Sequence, residues 1–233
     1  MEIPVTSSPR LASAPSDPRS APFGYECRRC LRCCRDKVIR LNPYEVARLA
    51  RHRGQTTTAL RDASTEDGAG LALARTSDGA CVFLGPDGCT VHSDRPLVCR
   101  LYPLGRFRSF TGAESYRTLE PHPQSEGEWH ERSDIAAYLA AQEAEPFIRA
   151  ADAYLDWIGR ALTGLSDGQD RTPQDLLDQA MAGEDLLDMD AAIARHAAAT
   201  GLAPPTDIEA RTALHLALLD DQLDSLGDDR HAS

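Results

Sequence analysis

The sequence predicts an α+β fold, a Cys-rich domain with a small antiparallel sheet plus a helical C-terminal region. Three observations carry this. All seven cysteines lie between Cys27 and Cys99. From Leu71 to Leu119, short β-type runs alternate with turns marked by Gly and Pro. From Ser133 onward, apolar residues recur at helical spacing.

The elements follow in order. Residues 1–22 hold five prolines and several serines and predict a disordered leader. A cysteine loop runs from Phe23 to Lys37, opening a domain expected over residues 23–120. Asn42-Pro43-Tyr44-Glu45 starts a helix, with Asn as N-cap, Pro in the first turn and Glu closing a capping box; Gly54 stops it. A short helix is expected at Thr58–Ala63 and a strand at Leu71–Arg75. Two strands, Cys81–Leu84 and Cys89–His92, flank the turn Gly85-Pro86-Asp87-Gly88, and that hairpin brings Cys81 and Cys89 towards each other. Arg95-Pro96 opens a helical turn bearing Cys99, and Phe107–Thr111 pairs with Ser115–Leu119 about Gly112.

Residues 133–233 are expected to form an acidic helical region. Ser133 caps its first helix, and Pro146 predicts a kink or a break. Tyr138, Phe147, Tyr154 and Trp157 belong to the apolar stripe and read as core. Gly164 and Gly168 mark a turn, and helices are expected from Thr172, over Asp188–Thr200 and over Thr206–Leu226. His215, between Leu214 and Leu216, reads as a packed histidine.

Composition narrows the function classes. No apolar run approaches the ~18 residues of a membrane span, and the first twenty residues lack the apolar core of a signal peptide. A reducing cytoplasm is the expected compartment, and the odd cysteine count argues against a complete disulfide framework. The net charge of −11 is unevenly spread. Residues 1–113 carry 17 Lys/Arg against 11 Asp/Glu, whereas residues 114–233 carry 8 against 25. Thiolates would offset the basic half; the sharper reading is an arginine-lined site for an anionic substrate. The acidic half disfavours nucleic acid and offers a surface to a basic protein partner. Lys37 is the one lysine among 25 basic residues and reads as compositional bias.

The cysteines carry the chemistry. Cys27-Arg28-Arg29-Cys30-Leu31-Arg32-Cys33-Cys34 packs four thiols into eight positions; Cys81, Cys89 and Cys99 form a second group. C-x2-C lets one short loop present two sulfurs to one centre. The intervals Cys27, Cys30, Cys33 match the start of a ferredoxin-type run. Adjacent side chains diverge, so Cys33 and Cys34 are expected to face different metals, or different irons of one cluster. Seven thiols exceed the four that close a zinc site or a four-iron cluster. The spacing therefore points to a metal centre held by Cys27, Cys30, Cys33, Cys34, Cys81, Cys89 and Cys99, with an iron–sulfur cluster or iron leading and zinc the alternative. His92, at C-x2-H spacing from Cys89, and His122, between Pro121 and Pro123, are further candidate ligands. Arg95 and Arg100 flank Cys99 and could donate hydrogen bonds to sulfurs.

These motifs, with Arg95-Pro96-Leu97-Val98-Cys99-Arg100-Leu101-Tyr102-Pro103, resemble the YkgJ-like cysteine-cluster family of zinc- or iron-chelating proteins. The resemblance spans about residues 23–105, and all seven cysteines fall on the family's cysteine positions. Family members commonly carry Gly at the position of Leu31 and often Tyr at that of His92. The resemblance implies metal binding and no settled reaction. Some relatives are flagellin lysine N-methylases, so a distantly related metalloenzyme stands beside a zinc-stapled interaction module as an alternative. The chain has no dinucleotide fingerprint, Walker loop, H-E-x-x-H motif or nucleophile elbow. The carboxylate pairs Glu143/Glu145 and Asp220/Asp221 read as solvated helix faces.

Overall fold

The computed structural model describes residues 16–66, 71–109, 111–165 and 188–231. The helix expected from Thr172, together with Gly168, lies outside them. The architecture is α+β: helices with small two-stranded antiparallel sheets.

Strand β1 (Tyr25–Glu26) pairs with β8 (Glu128–Trp129), so the start of the cysteine loop is tied to a segment about a hundred residues on. Helix α1 (Pro43–Arg53) begins with the predicted capping box. Glu45 N–H donates to Asn42 Oδ1 at 3.0 Å, and Asn42 N–H donates back to Glu45 Oε2 at 2.9 Å. Gly54 closes the helix in the left-handed region at φ 64°. Helix α2 (Thr57–Ser64) leads into β2 (Thr65–Glu66), which pairs with β3 (Ala72–Leu73). Strands β4 (Leu84–Gly85) and β5 (Gly88–Cys89) form a tight hairpin about Pro86-Asp87, but the strand expected over Cys81–Leu84 keeps only Leu84, so Cys89 stands opposite Leu84 and Cys81 bridges Arg75 instead. The strand expected through His92 stops sooner, because His92–Asp94 turn into a 3-10 helix. Helix α3 (Leu97–Leu101) carries Cys99. Strands β6 (Leu104–Arg108) and β7 (Glu114–Thr118) make the second hairpin, in a register that sets Arg106 opposite Tyr116.

The C-terminal half is helical. Helix α4 (Ile135–Ala141) is capped by Asp134 rather than Ser133; the Ser133 hydroxyl donates to the Phe23 carbonyl instead. The chain breaks at Glu143, which has φ 50°, and Pro146 falls in the first turn of α5 (Glu145–Leu165), where its missing N–H costs nothing. Gly164 lies inside α5, not in a turn. Helices α6 (Met189–Thr200) and α7 (Ile208–His231) complete the order.

Residues 16–22, expected as part of a disordered leader, are docked. Asp17 exchanges backbone hydrogen bonds with Tyr116, and Pro22 bridges Asp134. Arg19 holds the strap down through Glu114 at 2.7 Å and Glu145 at 3.2 Å.

Helix α1 is the hub that joins the halves. Its Tyr44 is fully buried against Phe147, edge to face at 5.4 Å, within a core that includes Tyr154, Trp157 and Leu219. Its Ala47 packs with Met189 and Ile193 of α6. Its Val46, Leu49 and Ala50 face the other way, onto Phe83 and Val91 beside the late cysteines. His215 is fully buried and bonds Tyr154 Oη through Nδ1 at 2.8 Å, the packed role expected for it. Among the described residues no helix is long and apolar enough to cross a membrane.

Candidate metal centre

Each cysteine is placed by a local device. After β1 the chain passes Cys27 and Cys30 with a left-handed residue, Arg29 at φ 54°, between them. Leu31 then takes the left-handed conformation, φ 64°, and turns the chain into a 3-10 helix, Arg32–Cys34. That turn sets Cys33 Sγ 4.0 Å from Cys34 Sγ. The two cysteine groups are stitched directly: Cys81 N–H donates to the Cys34 carbonyl at 2.9 Å, and Arg35 bridges Ala80. The hairpin β4–β5 presents Cys89 opposite Leu84. Helix α3 has no side-chain cap of its own; the buried Glu45 of α1 supplies one, its Oε1 accepting from Leu97 N–H at 2.7 Å. One carboxylate thus fixes the start of α1 and the helix that carries Cys99.

All seven cysteines are free thiols, and all seven line a single cavity of about 460 Å³. They ring this cavity rather than meet: among the described residues, no three Cys, His or carboxylate side chains close into a metal cage. Cys81, Cys89 and Cys99 sit against the apolar core formed by Phe83 and Val91.

The electrostatics suit thiolate ligands. The Arg29 N–H lies 3.4 Å from Cys27 Sγ, and the amides of Phe83 and Val91 donate to the sulfurs of Cys81 and Cys89. In each case the donor is the amide two residues ahead, an arrangement that favours the ionised sulfur. Burial pushes the Cys81, Cys89 and Cys99 thiols up, and for Cys99 the neighbouring Cys81, Cys33 and Cys89 add to it. The hydrogen bond from Cys34 holds Cys33 down and pushes Cys34 up, with Lys37 and Arg95 also favouring the Cys33 thiolate. The donor set fits a thiophilic metal: free soft sulfurs on one cavity, three of them met by amide donors, with an apolar wall behind.

The other candidates divide. His92 lines the cavity, but its Nδ1 faces Arg95 Nη1 at 3.3 Å. Arginine can only donate, so Nδ1 accepts and Nε2 carries the proton in this arrangement, assigned from the partner. Burial, then Arg95 and Arg29, hold the imidazole below its ordinary range and keep it neutral. His122 is not part of the cavity wall; its Nδ1 accepts from Gln124 N–H at 3.1 Å. Arg95 and Arg100 both lie on the cavity wall, but the donors of Arg95 go to the His92 carbonyl and Gln142 Oε1. Those of Arg100 go to the carbonyls of Arg95, Gln142 and Ser93, and its guanidinium stacks 4.0 Å from the Phe147 ring centre. Burial pulls Arg100 down to about 10.

The cavity also holds residues that the spacing did not mark. Tyr25, Tyr102 and Tyr138 form part of its wall, and Lys37 lies over the Tyr102 ring at 4.3 Å. For Lys37 the one available signal was its being the sole lysine. Tyr102 stood in the Cys99 motif without a role, and for Tyr25 and Tyr138 there was no signal, since their positions depend on the β1–β8 pairing and on α4.

Residues 26–123 match the family model CxxCxxCC, described as a putative zinc- or iron-chelating domain. This stretch is similar to the CxxCxxCC domain. It contains every cysteine of the chain, and the family is the one that the thiol spacing resembles. No curated protein and no solved structure matches the chain. The match supports metal binding of the zinc or iron type for this stretch. The matched segment ends before α4, so Tyr138 of the cavity wall comes from outside it.

Proposed function

We propose that the CxxCxxCC domain holds an iron–sulfur cluster or iron through Cys27, Cys30, Cys33, Cys34, Cys81, Cys89 and Cys99. The observation that carries this reading is the shared cavity wall: seven thiols on one cavity exceed what a closed tetrahedral zinc site uses. The amide donors to Cys27, Cys81 and Cys89 support it, because hydrogen bonds to sulfur are a main control on cluster potential. A bound centre of this kind supplies electron transfer or Lewis-acid chemistry. The protein positions the sulfurs, aims amides at them and places apolar side chains behind them. Free thiols in this number fit a reducing compartment, which we take to be the cytoplasm.

Anaerobic purification followed by iron, zinc and acid-labile sulfide analysis tests the reading. Iron with sulfide and a brown colour is expected; zinc alone at one ion per chain overturns it. Substituting Cys33→Ala and Cys34→Ala separately should each lower metal per chain. A change that leaves metal content untouched removes that residue from the ligand set.

A further inference from the structure

We propose that the thiol-lined cavity also seats a small organic anion, its charged end held among Lys37, Arg29 and Arg95 and its apolar body laid against the tyrosine wall. The inference goes beyond metal binding and rests on that reading in one respect, that the thiols carry metal when the anion binds.

Charge is the first argument. In this acidic chain most arginines near an acid use it: Arg106 is paired with Glu114 and Asp152, Arg108 with Asp156, Arg48 with Asp94 and Arg35 with Asp78. Of the cations on the cavity wall, Arg106 has its carboxylates and Arg100 its carbonyls, whereas Lys37, Arg29 and Arg95 have no carboxylate partner among the described residues. Lys37 sits over a ring, and Arg95 bonds the His92 carbonyl and Gln142 Oε1, both at 2.6 Å. All three line the cavity, Arg29 at its exposed rim. The exposed Asp87 is the one acid on that wall. Unpaired cations around a concave, partly apolar surface hold an anion far better than cations in open solvent do.

Volume is the second argument. About 460 Å³ falls within the roughly 300–1,000 Å³ of small-molecule sites, well beyond the room a metal needs when its sulfurs already belong to the wall. The phenol groups are engaged with the framework, Tyr25 with Ser125 at 2.7 Å and Tyr138 with the Tyr102 carbonyl at 3.1 Å. The rings therefore offer apolar surface beside the cations. The wall asks for an anionic end on a flat or branched apolar body, a carboxylate or a phosphate ester.

The sole lysine provides the test. The metal-loaded full-length chain is treated with acetic anhydride, and acylation of Lys37 is followed by peptide mass spectrometry with benzoate, with phenyl phosphate, or with neither. At ~10 mM probe, a site with a Kd near 1 mM is about nine-tenths filled and should slow Lys37 acylation roughly tenfold. Arg95→Gln should abolish most of that protection. Protection by benzoate alone assigns a carboxylate, and by phenyl phosphate alone a phosphate ester. Equal acylation rates with and without both probes overturn the proposal, as does protection that Arg95→Gln leaves unchanged. Metal content is measured on the same samples. Loss of the metal reading would appear there, and loss of the anion site in the acylation rates.

Discussion

Leu31 holds a left-handed backbone, φ 64°, where the Cβ of an ordinary residue costs ~1–2 kcal/mol. The family preference for Gly at this position has its physical reason here: the turn that delivers Cys33 and Cys34 needs positive φ. Leu31→Gly should leave stability unchanged or slightly higher, since the relieved strain offsets the added chain entropy. Leu31→Val should cost ~1–2 kcal/mol, because a β-branched side chain tolerates this conformation worst. Urea unfolding of both variants checks the sign. Arg100 shows what spacing alone could not reveal. Its place beside Cys99 suggested a sulfur donor, yet the turn of α3 sends its guanidinium to three carbonyls and the Phe147 ring. Arg100→Met should therefore destabilise by about 3 kcal/mol, measured by denaturant titration, by orphaning buried acceptors. The thiols themselves were legible because their chemistry depends on residue type. Lys37 and the tyrosine wall were not, because a lysine or a tyrosine acquires its role from what stands beside it.

At the level of elements, local signals were strong where the backbone closes on itself. Asn42-Pro43-Tyr44-Glu45 gave α1 its start, and Gly85-Pro86-Asp87-Gly88 gave β4–β5 its turn. What that stretch concealed was the second use of Glu45 as the cap of α3, a contact across 52 residues. The hairpin β6–β7 was legible as well, but its ion-pair ladder was not. Arg106 joins Glu114 to Asp152, and Arg108 continues to Asp156, fastening the hairpin to α5. Burial pushes the Glu114 carboxyl up, but Arg19, Arg106 and the Tyr116 hydroxyl outweigh it and hold it at about 2, against an ordinary 4.5. A folded value below the unfolded one means that the stabilisation is complete above the unfolded value and is lost as pH falls towards the folded one. Between about pH 5 and pH 2 the wild type should lose stability faster than Glu114→Gln, with the two unfolding curves converging at the acid end. Thermal unfolding at stepped pH checks this; a constant gap between the two proteins contradicts it.

Across the whole molecule, the uneven charge of the sequence resolves into contacts between its halves. Arg19, Arg106 and Arg108 of the basic half meet Glu145, Asp152 and Asp156 of the acidic half. Ion pairs between the halves are therefore a source of charge compensation. The hub role of α1 was the least legible feature, because a helix with buried residues on several faces gives a weak one-sided pattern. Its Val46 and Leu49 serve the cysteine side, while Tyr44 and Ala47 serve the C-terminal helices. A fragment of residues 16–123 keeps every thiol and removes Phe147, Tyr154 and Trp157 from above Tyr44. It should be recovered as insoluble or unfolded material, read by size-exclusion chromatography and circular dichroism.

The stitch between Cys34 and Cys81 also bears on assembly. The first four sulfurs leave the ribosome well before the other three, and the backbone bond that fixes the geometry of one group requires a residue from the other. On the proposed ligand set, a complete site can therefore form only after residue 99 has been synthesised and the two groups have docked.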